Sequence, residues 1–535
     1  MNKTISILSG LAILLVACQQ ADTIREGALP DFDHILVIVG DDHGFATVGA
    51  YGNNYIQTPG LDRLAAGGIC FEKAYATSPI CSASRQSVLC GKYPHATGVN
   101  MLFTPFPDEG NITIAEHLRA HGFATAIIGK NHFNNWVWGP LYKDGPPDHG
   151  FSLNVSKPDY RQWLRTQQPA PIPDSITTRA NQSGTGVAWQ KNAAMLPVAR
   201  RQEETEAAYF TDQALSFMQQ QREGKSFTWL AFHEPHAPFV YPVEYRNLYH
   251  PDSIPFPEGT PEDNRWVPEI FKDLTEAERR GIITSYYRSV THMDAQINRL
   301  LDSLESRGIL DQTLIVYFGD QGYLLNDHRR FEKHSFWEES IRAPLIFHGK
   351  GLPDGKTVSR PVSFVDIAPS VVTLSGVIQV ADFQGKGITN LLQTNPHPPD
   401  TAYLFSEYLL DNKAMVVNDH WKYIFTAGAR DQTLSYATGY GPSGMYHRLY
   451  DLRNDPQETT NLAYAADQAK RVEALQDVML GYFRQTHPEA AGCPSSLNTL
   501  GQLVWYCEPR DLGGDYQERP ARMLEGEPFQ PETPD

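Results

Sequence analysis

The chain has 535 residues, 41% apolar and 20% charged, enough to bury a large core and more than one simple domain usually holds, so a large domain with a smaller companion is expected. Asp and Glu outnumber Lys and Arg by 62 to 45, a formal charge of −17. That excludes a general attraction to nucleic acid or anionic lipid, and an anionic ligand would need a local cluster of cations to overcome the field.

The N-terminus reads MNKTISILSGLAILLVACQQ, with Lys3 ahead of an apolar run that ends at Ala17 and Cys18. This is a signal peptide, too short and too early for a membrane span. The ending Leu15-Val16-Ala17-Cys18 resembles a bacterial lipobox, which makes residues 1–18 a lipoprotein-type signal and Cys18 a lipid-bearing mature N-terminus; an ordinary cleaved signal is the alternative. The expected location is the periplasm or the outer membrane of a Gram-negative bacterium, with membrane contact only through Cys18. No later stretch is apolar for long enough to span a bilayer.

Short apolar runs bounded by turn residues follow at Ile35 to Val39, Ala124 to Ile128, Thr228 to Phe232, Thr313 to Phe318 and Pro344 to Phe347. They read as buried parallel strands. Between them, Ile112 to Ala120, Glu204 to Gln219 and Glu276 to Glu305 repeat apolar residues at spacings of three and four and read as helices, the last with Gly281 as a point of division. The alternation implies an α/β domain, a mainly parallel sheet flanked by helices. Segments near 152–200, 250–272 and 426–445 are rich in Pro, Gly and polar residues and too long for simple connections, which suits the rim of a binding site.

Near residue 400 the pattern turns to short extended pieces, Ala402 to Phe405 and Lys422 to Phe425, and one late helix around Ala463 to Tyr482. Residues 30–400 are therefore expected to form the large domain and 401–535 a smaller α+β one, loosely ordered from Pro520 onward. An exported location permits a disulfide between Cys493 and Cys507. Cys70 and Cys90 read as small buried residues.

Ligands bind beyond the carboxyl ends of the strands in an open parallel sheet, so the residues that follow each apolar run matter most. They are Asp41-Asp42-His43-Gly44, Gly129-Lys130-Asn131-His132, His233-Glu234-Pro235-His236 and Asp320-Gln321-Gly322. Asp41, Asp42, Asp320 and the amide oxygen of Gln321 form an oxygen-only set suited to Ca²⁺ or Mg²⁺, although His43 leaves zinc open. Arg85, Lys130, Lys333 and the protonatable His132 and His236 supply the opposite sign; Arg can grip two oxygens of a tetrahedral anion and Lys adds a point charge.

Cys81 begins Cys81-Ser82-Ala83-Ser84-Arg85-Gln86-Ser87-Val88-Leu89, which can start a helix with capping serines. A helix N-terminus favours an anion there, and a thiolate of lowered pKa is one reading. Oxygen ligands for a hard metal are a poor match for a sulfur nucleophile, and an oxygen nucleophile fits better.

Cys81-Ser82-Ala83-Ser84-Arg85 with Gly91-Lys92 resembles the signature of type I sulfatases of the alkaline-phosphatase superfamily. Pro235-His236-Ala237-Pro238, Lys333 ahead of Trp337-Glu338-Glu339-Ser340, and the late Leu449 to Ala463 segment stand in the family's order, over roughly residues 33 to 465. The resemblance implies an alkaline-phosphatase-like fold and a catalytic domain over 30–400. It implies one Ca²⁺ held by Asp41, Asp42, Asp320, Gln321 and residue 81, and Cys81 oxidised by a maturation enzyme to Cα-formylglycine. It also implies sulfate binding by Arg85, Lys130 and Lys333, with catalytic His132 and His236. Ala83 stands where proline is usual, Cys90 where threonine is usual, and Gln321 where asparagine or histidine is usual.

Export, aromatic residues at 11% and long loops suit a sulfated carbohydrate, a glycosaminoglycan or algal polysaccharide fragment, with His328, Arg329 and Arg330 as candidates to read the sugar. Two rival readings are a phosphodiesterase or phosphonate monoester hydrolase on the same fold, and a non-catalytic lipoprotein that binds sulfated glycans.

Overall fold

The computed structural model describes residues 31–100, 104–107, 109–133, 148–179, 192–377, 382–393, 403–409, 413–427 and 445–508. The signal segment, Cys18, the tail from Pro520 and most of 426–445 lie outside the described residues. No described helix is long and apolar enough to cross a membrane.

The strands run β1 (His34–Asp41), β2 (Gly68–Phe71), β3 (Ala74–Tyr75), β4 (Ala124–Gly129), β5 (Leu153–Val155), β6 (Ser226–Pro235), β7 (Thr313–Gly319), β8 (Leu324–Leu325), β9 (Phe331–Glu332), β10 (Leu345–His348), β11 (Lys356–Val358) and β12 (Val362–Ser363). Eight form one sheet in the order β11-β2-β10-β7-β1-β6-β4-β5. β1 lies at its centre, parallel to β6 and to β7, with His34 opposite both Ser226 and Thr313. Its side chains alternate between two cores: Ile35, Val37 and Val39 face one, Leu36 and Ile38 the other. Both faces are buried in these cores, so the strand is apolar from Ile35 to Val39, as a parallel strand buried on two sides must be.

The apolar run at Pro344 to Phe347 becomes β10, which is antiparallel to β7 and to β2. Hydrophobicity fixes a strand's burial and leaves its direction open, so the expectation of a parallel strand fails here. The first expected helix starts at Ile114, because Thr113 caps it in a reciprocal capping box with Glu116.

The helix Glu276–Ser306 is unbroken at Gly281. The glycine is needed for another reason: a Cβ there would stand 2.0 Å from the carbonyl oxygen of Ala193. Cys493 and Cys507 are free thiols, the second fully buried, so the disulfide that export permits is absent.

The C-terminal part is an antiparallel sheet of β13 (Leu404–Tyr408), β14 (Lys413–Val417), β15 (Trp421–Thr426) and β16 (Tyr446–Asp451), followed by a helix Ala469–Thr486. One face of the sheet, with Ala414, Val416 and Phe425, packs on Leu475, Met479 and Phe483 of that helix. The other, with Met415, Val417 and Ile424, is continuous with the main core.

Gly281→Ala sets a helix-propensity gain of about 1 kcal/mol against a backbone clash that overpacking data put at roughly 1–3 kcal/mol. At 2.0 Å the clash should win. Urea denaturation should show a lower midpoint for the variant; an equal or higher midpoint would mean that the segment around Ala193 yields freely.

Candidate active site

Asp41 ends β1, the central strand, and Asp42 follows in the left-handed region at φ 61°. Asp320 and Gln321 follow β7 on one side, His233 to His236 close β6 on the other, and Lys130 follows β4 one strand further out. Gly129 makes that last approach possible, since at φ 100° a Cβ would lie 1.9 Å from the Ala231 carbonyl oxygen. Lys130 then donates its backbone N–H to that oxygen at 2.9 Å and turns its side chain toward β1.

Facing these strand ends is the helix Cys81–Cys90, all ten residues of which are buried. Ile80, in extended conformation, holds its N-cap without a side-chain bond. The serines expected to cap it are used elsewhere: Ser84 Oγ donates to the Asp320 carbonyl at 2.5 Å, and Ser87 Oγ to that of Lys92. Gln86 Nε2 donates to the His132 carbonyl at 2.6 Å, which ties the helix to the turn after β4.

Each carboxylate carries a cation. Lys130 Nζ lies 2.8 and 2.6 Å from the two oxygens of Asp41, and Lys333 Nζ 2.7 and 2.6 Å from those of Asp42. Arg85 spans the site, with Nε 2.7 Å from Asp320 Oδ2, Nη1 donating to the Lys130 carbonyl at 3.0 Å, and Nη2 3.5 Å from Asp41 Oδ1. His236 Nε2 stands 3.6 Å from Asp42 Oδ2. Its Nδ1 donates to the Ala237 carbonyl at 2.6 Å, which turns Nε2 inward.

Burial works against an ionised Asp41, but Lys130, Arg85 and Lys333 outweigh it and hold this carboxyl below the usual range. At Asp320 burial, aided by the charge of Asp41, exceeds the pull of Arg85, and the carboxyl is raised. Burial also disfavours a charged Lys333, yet Asp42 more than compensates and its ammonium is held above the usual value. Burial pushes His236 down to about 3, with Lys333 adding to the effect and Asp42 opposing it. His132 is driven well below its ordinary value by burial and by Lys130, Arg85 and Lys333.

The Cys81 thiol is raised, chiefly by burial, with Lys130 and Lys333 offsetting this only in part. This direction runs against a thiolate of lowered pKa at Cys81: desolvation at the buried helix start exceeds the pull of the two lysines.

One donor atom from each of Asp41, Cys81 and Asp320 lies within 4.8 Å of the others. The buried Gln321 Oε1 has no hydrogen-bond partner among the described residues, while its Nε2 donates to Asp42. With an oxygen in place of sulfur at position 81 this is an all-oxygen donor set, which fits a hard dication.

A family model described as Sulfatase matches residues 33–377, more than half of the chain. The chain belongs to the sulfatase family. A second model, N-sulphoglucosamine sulphohydrolase, C-terminal, matches residues 326–485 of this sulfatase. A sulfatase of Formosa agariphila is 27% identical over 506 residues, 88% of this chain and 90% of its own. An N-acetylglucosamine-6-O-sulfatase of Bacteroides thetaiotaomicron is 25% identical over 89% of this chain and 90% of its own. Among solved structures, a phosphonate monoester hydrolase of Agrobacterium radiobacter superposes with a TM-score of 0.70 at 21% identity, covering 86% of this chain and 97% of that one, a likeness of fold alone. The sheet and its helices are thus the alkaline-phosphatase-like fold of the family.

The sulfatase brings Cys81, Arg85, Lys130, His132, His236, Lys333 and the four expected oxygen donors to one edge of the sheet. The three residues expected to read a sugar are divided. His328 is buried, stacked on Trp337 at 4.2 Å with Nδ1 3.0 Å from Asp263. Arg330 is buried too, and donates to the Trp266 and Lys333 carbonyls at 3.0 and 3.3 Å. Both are buried beside the segment that carries Lys333, whereas Arg329 is exposed.

His233 carries no signal in the sequence beyond sharing a strand end with His236. It stacks on the His236 ring at 5.1 Å, with Nε2 4.0 Å from Asp41 Oδ2. Tyr286 is a second unheralded member, from the middle of a long helix; its hydroxyl donates to the Asp42 carbonyl at 2.6 Å.

Proposed function

We propose that this sulfatase removes sulfate from a carbohydrate, a glycosaminoglycan or algal polysaccharide fragment. In this reading Cys81 is oxidised to Cα-formylglycine, and one Ca²⁺ is held by Asp41, Asp42, Asp320, Gln321 and residue 81. The observation that carries the reading is the burial of a high-pKa cysteine among three carboxylates and three cations. Such a thiol is a poor nucleophile, and the same position bearing oxygen completes the donor set.

Bound there, a hard dication supplies Lewis-acid polarisation of an oxygen nucleophile at neutral pH. The hydrated aldehyde of residue 81 carries two hydroxyls on one carbon. One, having lost its proton to solvent, attacks sulfur as an oxyanion while the bond from sulfur to the sugar oxygen breaks, its electron pair leaving on that oxygen. Arg85, Lys130 and Lys333 hold the sulfuryl oxygens and offset charge as it develops. Lys333, held protonated by Asp42, is the source of the proton that the departing alkoxide needs, and His236, whose unprotonated Nε2 faces the pocket, passes it on.

His132 takes the proton of the second hydroxyl. The carbonyl then re-forms, the bond from that carbon to the sulfate oxygen breaks, and sulfate leaves without water attacking sulfur. Water restores the hydrate. A serine at this position has no second hydroxyl and would remain a sulfate ester.

The carbohydrate is supported by the relative named for N-acetylglucosamine 6-O-sulfate chemistry and by the signal-like N-terminus. The reading includes export, lipid anchoring at Cys18, a formylglycine-generating enzyme as maturation partner, and division into a catalytic domain over 30–400 and a smaller one over 401–535.

Cys81→Ser tests the chemistry: incubated with 4-nitrocatechol sulfate, the variant should stop after one event and carry a stable sulfate on residue 81, seen by peptide mass spectrometry. Sustained turnover by that variant would refute it. For the metal, protein stripped by EGTA should regain both activity and thermal midpoint with Ca²⁺ and not with Zn²⁺. Recovery with Zn²⁺ alone would move the site to the nitrogen donors His233 and His236.

A further inference from the structure

Lys333 reaches the pocket from the end of a short hairpin, β8 to β9, in which Leu324 pairs with Glu332 and Leu325 with Phe331. The turn between them is tight. Asn326, His328 and Arg329 all take left-handed backbone conformations, at φ 79°, 48° and 59°. Two side chains of this turn point inward, His328 to Asp263 and Trp337 and Arg330 to the Trp266 carbonyl. Arg329 is turned outward, into a surface groove of about 330 Å³.

Phe256, Pro257, Glu258, Gly259, Arg279 and Arg329 line that groove. Arg279 is fixed by carbonyl and amide oxygens: Nη1 lies 2.7 Å from Asn326 Oδ1 and 3.0 Å from the Arg329 carbonyl, and Nε 3.2 Å from that of Leu274. No ion pair joins Arg279 or Arg329 to a carboxylate among the described residues. Of the two acids at the groove, Glu276 is engaged by Arg280 at 2.8 Å, and Glu258 stands without a cation among the described residues. The Arg280 guanidinium also lies over the Phe256 ring at 4.4 Å, which holds the aromatic wall in place.

Two guanidiniums so close repel each other, and on a chain of charge −17 ion pairs with carboxylates would be expected to relieve them. Instead Arg329 faces solvent beside an aromatic ring, with the half-buried Arg279, whose nitrogens also reach the Phe271 carbonyl, adding positive charge behind it, a composition that recognises an anionic group carried on a sugar. Arg329 is four residues from Lys333, so the backbone separation is at most about 14 Å.

We infer that this groove is a second anion-binding subsite, which holds a sulfate or carboxylate on a sugar unit removed from the ester being cut. The inference rests on the carbohydrate reading above. It extends the substrate from a single sulfated unit to an oligosaccharide with charge on more than one unit, and assigns Arg329 to the recognition of that second charge, with Arg279 adding field behind it.

The test uses inhibition of 4-nitrophenyl sulfate hydrolysis by inorganic sulfate, which needs only the pocket, and by a heparin tetrasaccharide, which can reach the groove. The wild type should bind the tetrasaccharide more tightly than sulfate. Arg329→Glu should lower that preference by about fivefold, as expected for reversal of one exposed charge contact, Arg329→Lys should keep most of it, and Glu258→Lys should raise it. A preference unchanged in Arg329→Glu and Glu258→Lys would overturn the groove and leave the carbohydrate reading standing. A wild type that binds the tetrasaccharide no better than sulfate would also overturn the groove, whereas the carbohydrate reading falls only if no sulfated saccharide, glycosaminoglycan or algal, loses sulfate to the wild type.

Discussion

Lys130 on Asp41, Lys333 on Asp42 and Arg85 on Asp320 are three ion pairs sealed from solvent in one pocket. An unpaired charge at such depth costs several kcal/mol after relaxation, by the order of magnitude known for buried ions. The pairs therefore dictate the architecture around them. The carboxylates come from the two adjacent strands β1 and β7, but their cations come from the turn after β4, the helix Cys81–Cys90 and the segment after β9. Each must arrive with its counter-charge or the pocket does not close. Gly129 lets the β4 turn lie against β6, Ser84 and Gln86 bind the helix to two strand ends, and His328 and Arg330 brace the chain that carries Lys333.

The same balance explains how an acidic chain can handle an anion. Its overall charge of −17 is dispersed, whereas three cations share one buried cluster where the effective dielectric is low. Their strength is held in check by the carboxylates, each of which is paired with one of them. Cys81 sits between them at the start of a fully buried helix. Burial raises its thiol, and that environment suits an uncharged oxygen function better than a thiolate.

Much of the site was legible in the sequence because each apolar run of a buried strand stops at a residue that cannot be buried unpaired, and those stops fall at Asp41, Lys130, His233 and Asp320. Strand direction was not legible, since β10 is as apolar as its parallel neighbours. Short edge strands such as β5 and β11, three residues each, carry too little pattern to stand out. The capping pair Thr113 and Glu116 was a usable signal for the helix start. The inward turn of His328 and Arg330 had no local signal at all. It depends on Trp266, Trp337 and Asp263, and Asp263 and Trp266 lie more than sixty residues away.

The account stands on residue 81 bearing oxygen. Trypsin releases Ala74 to Arg85 as one peptide from protein matured in a host that oxidises such cysteines. Its mass in fully active enzyme is the most direct measurement: the account predicts an aldehyde, convertible to a hydrazone by a hydrazine reagent, in step with activity. An unmodified thiol at position 81 in enzyme of full activity would contradict it.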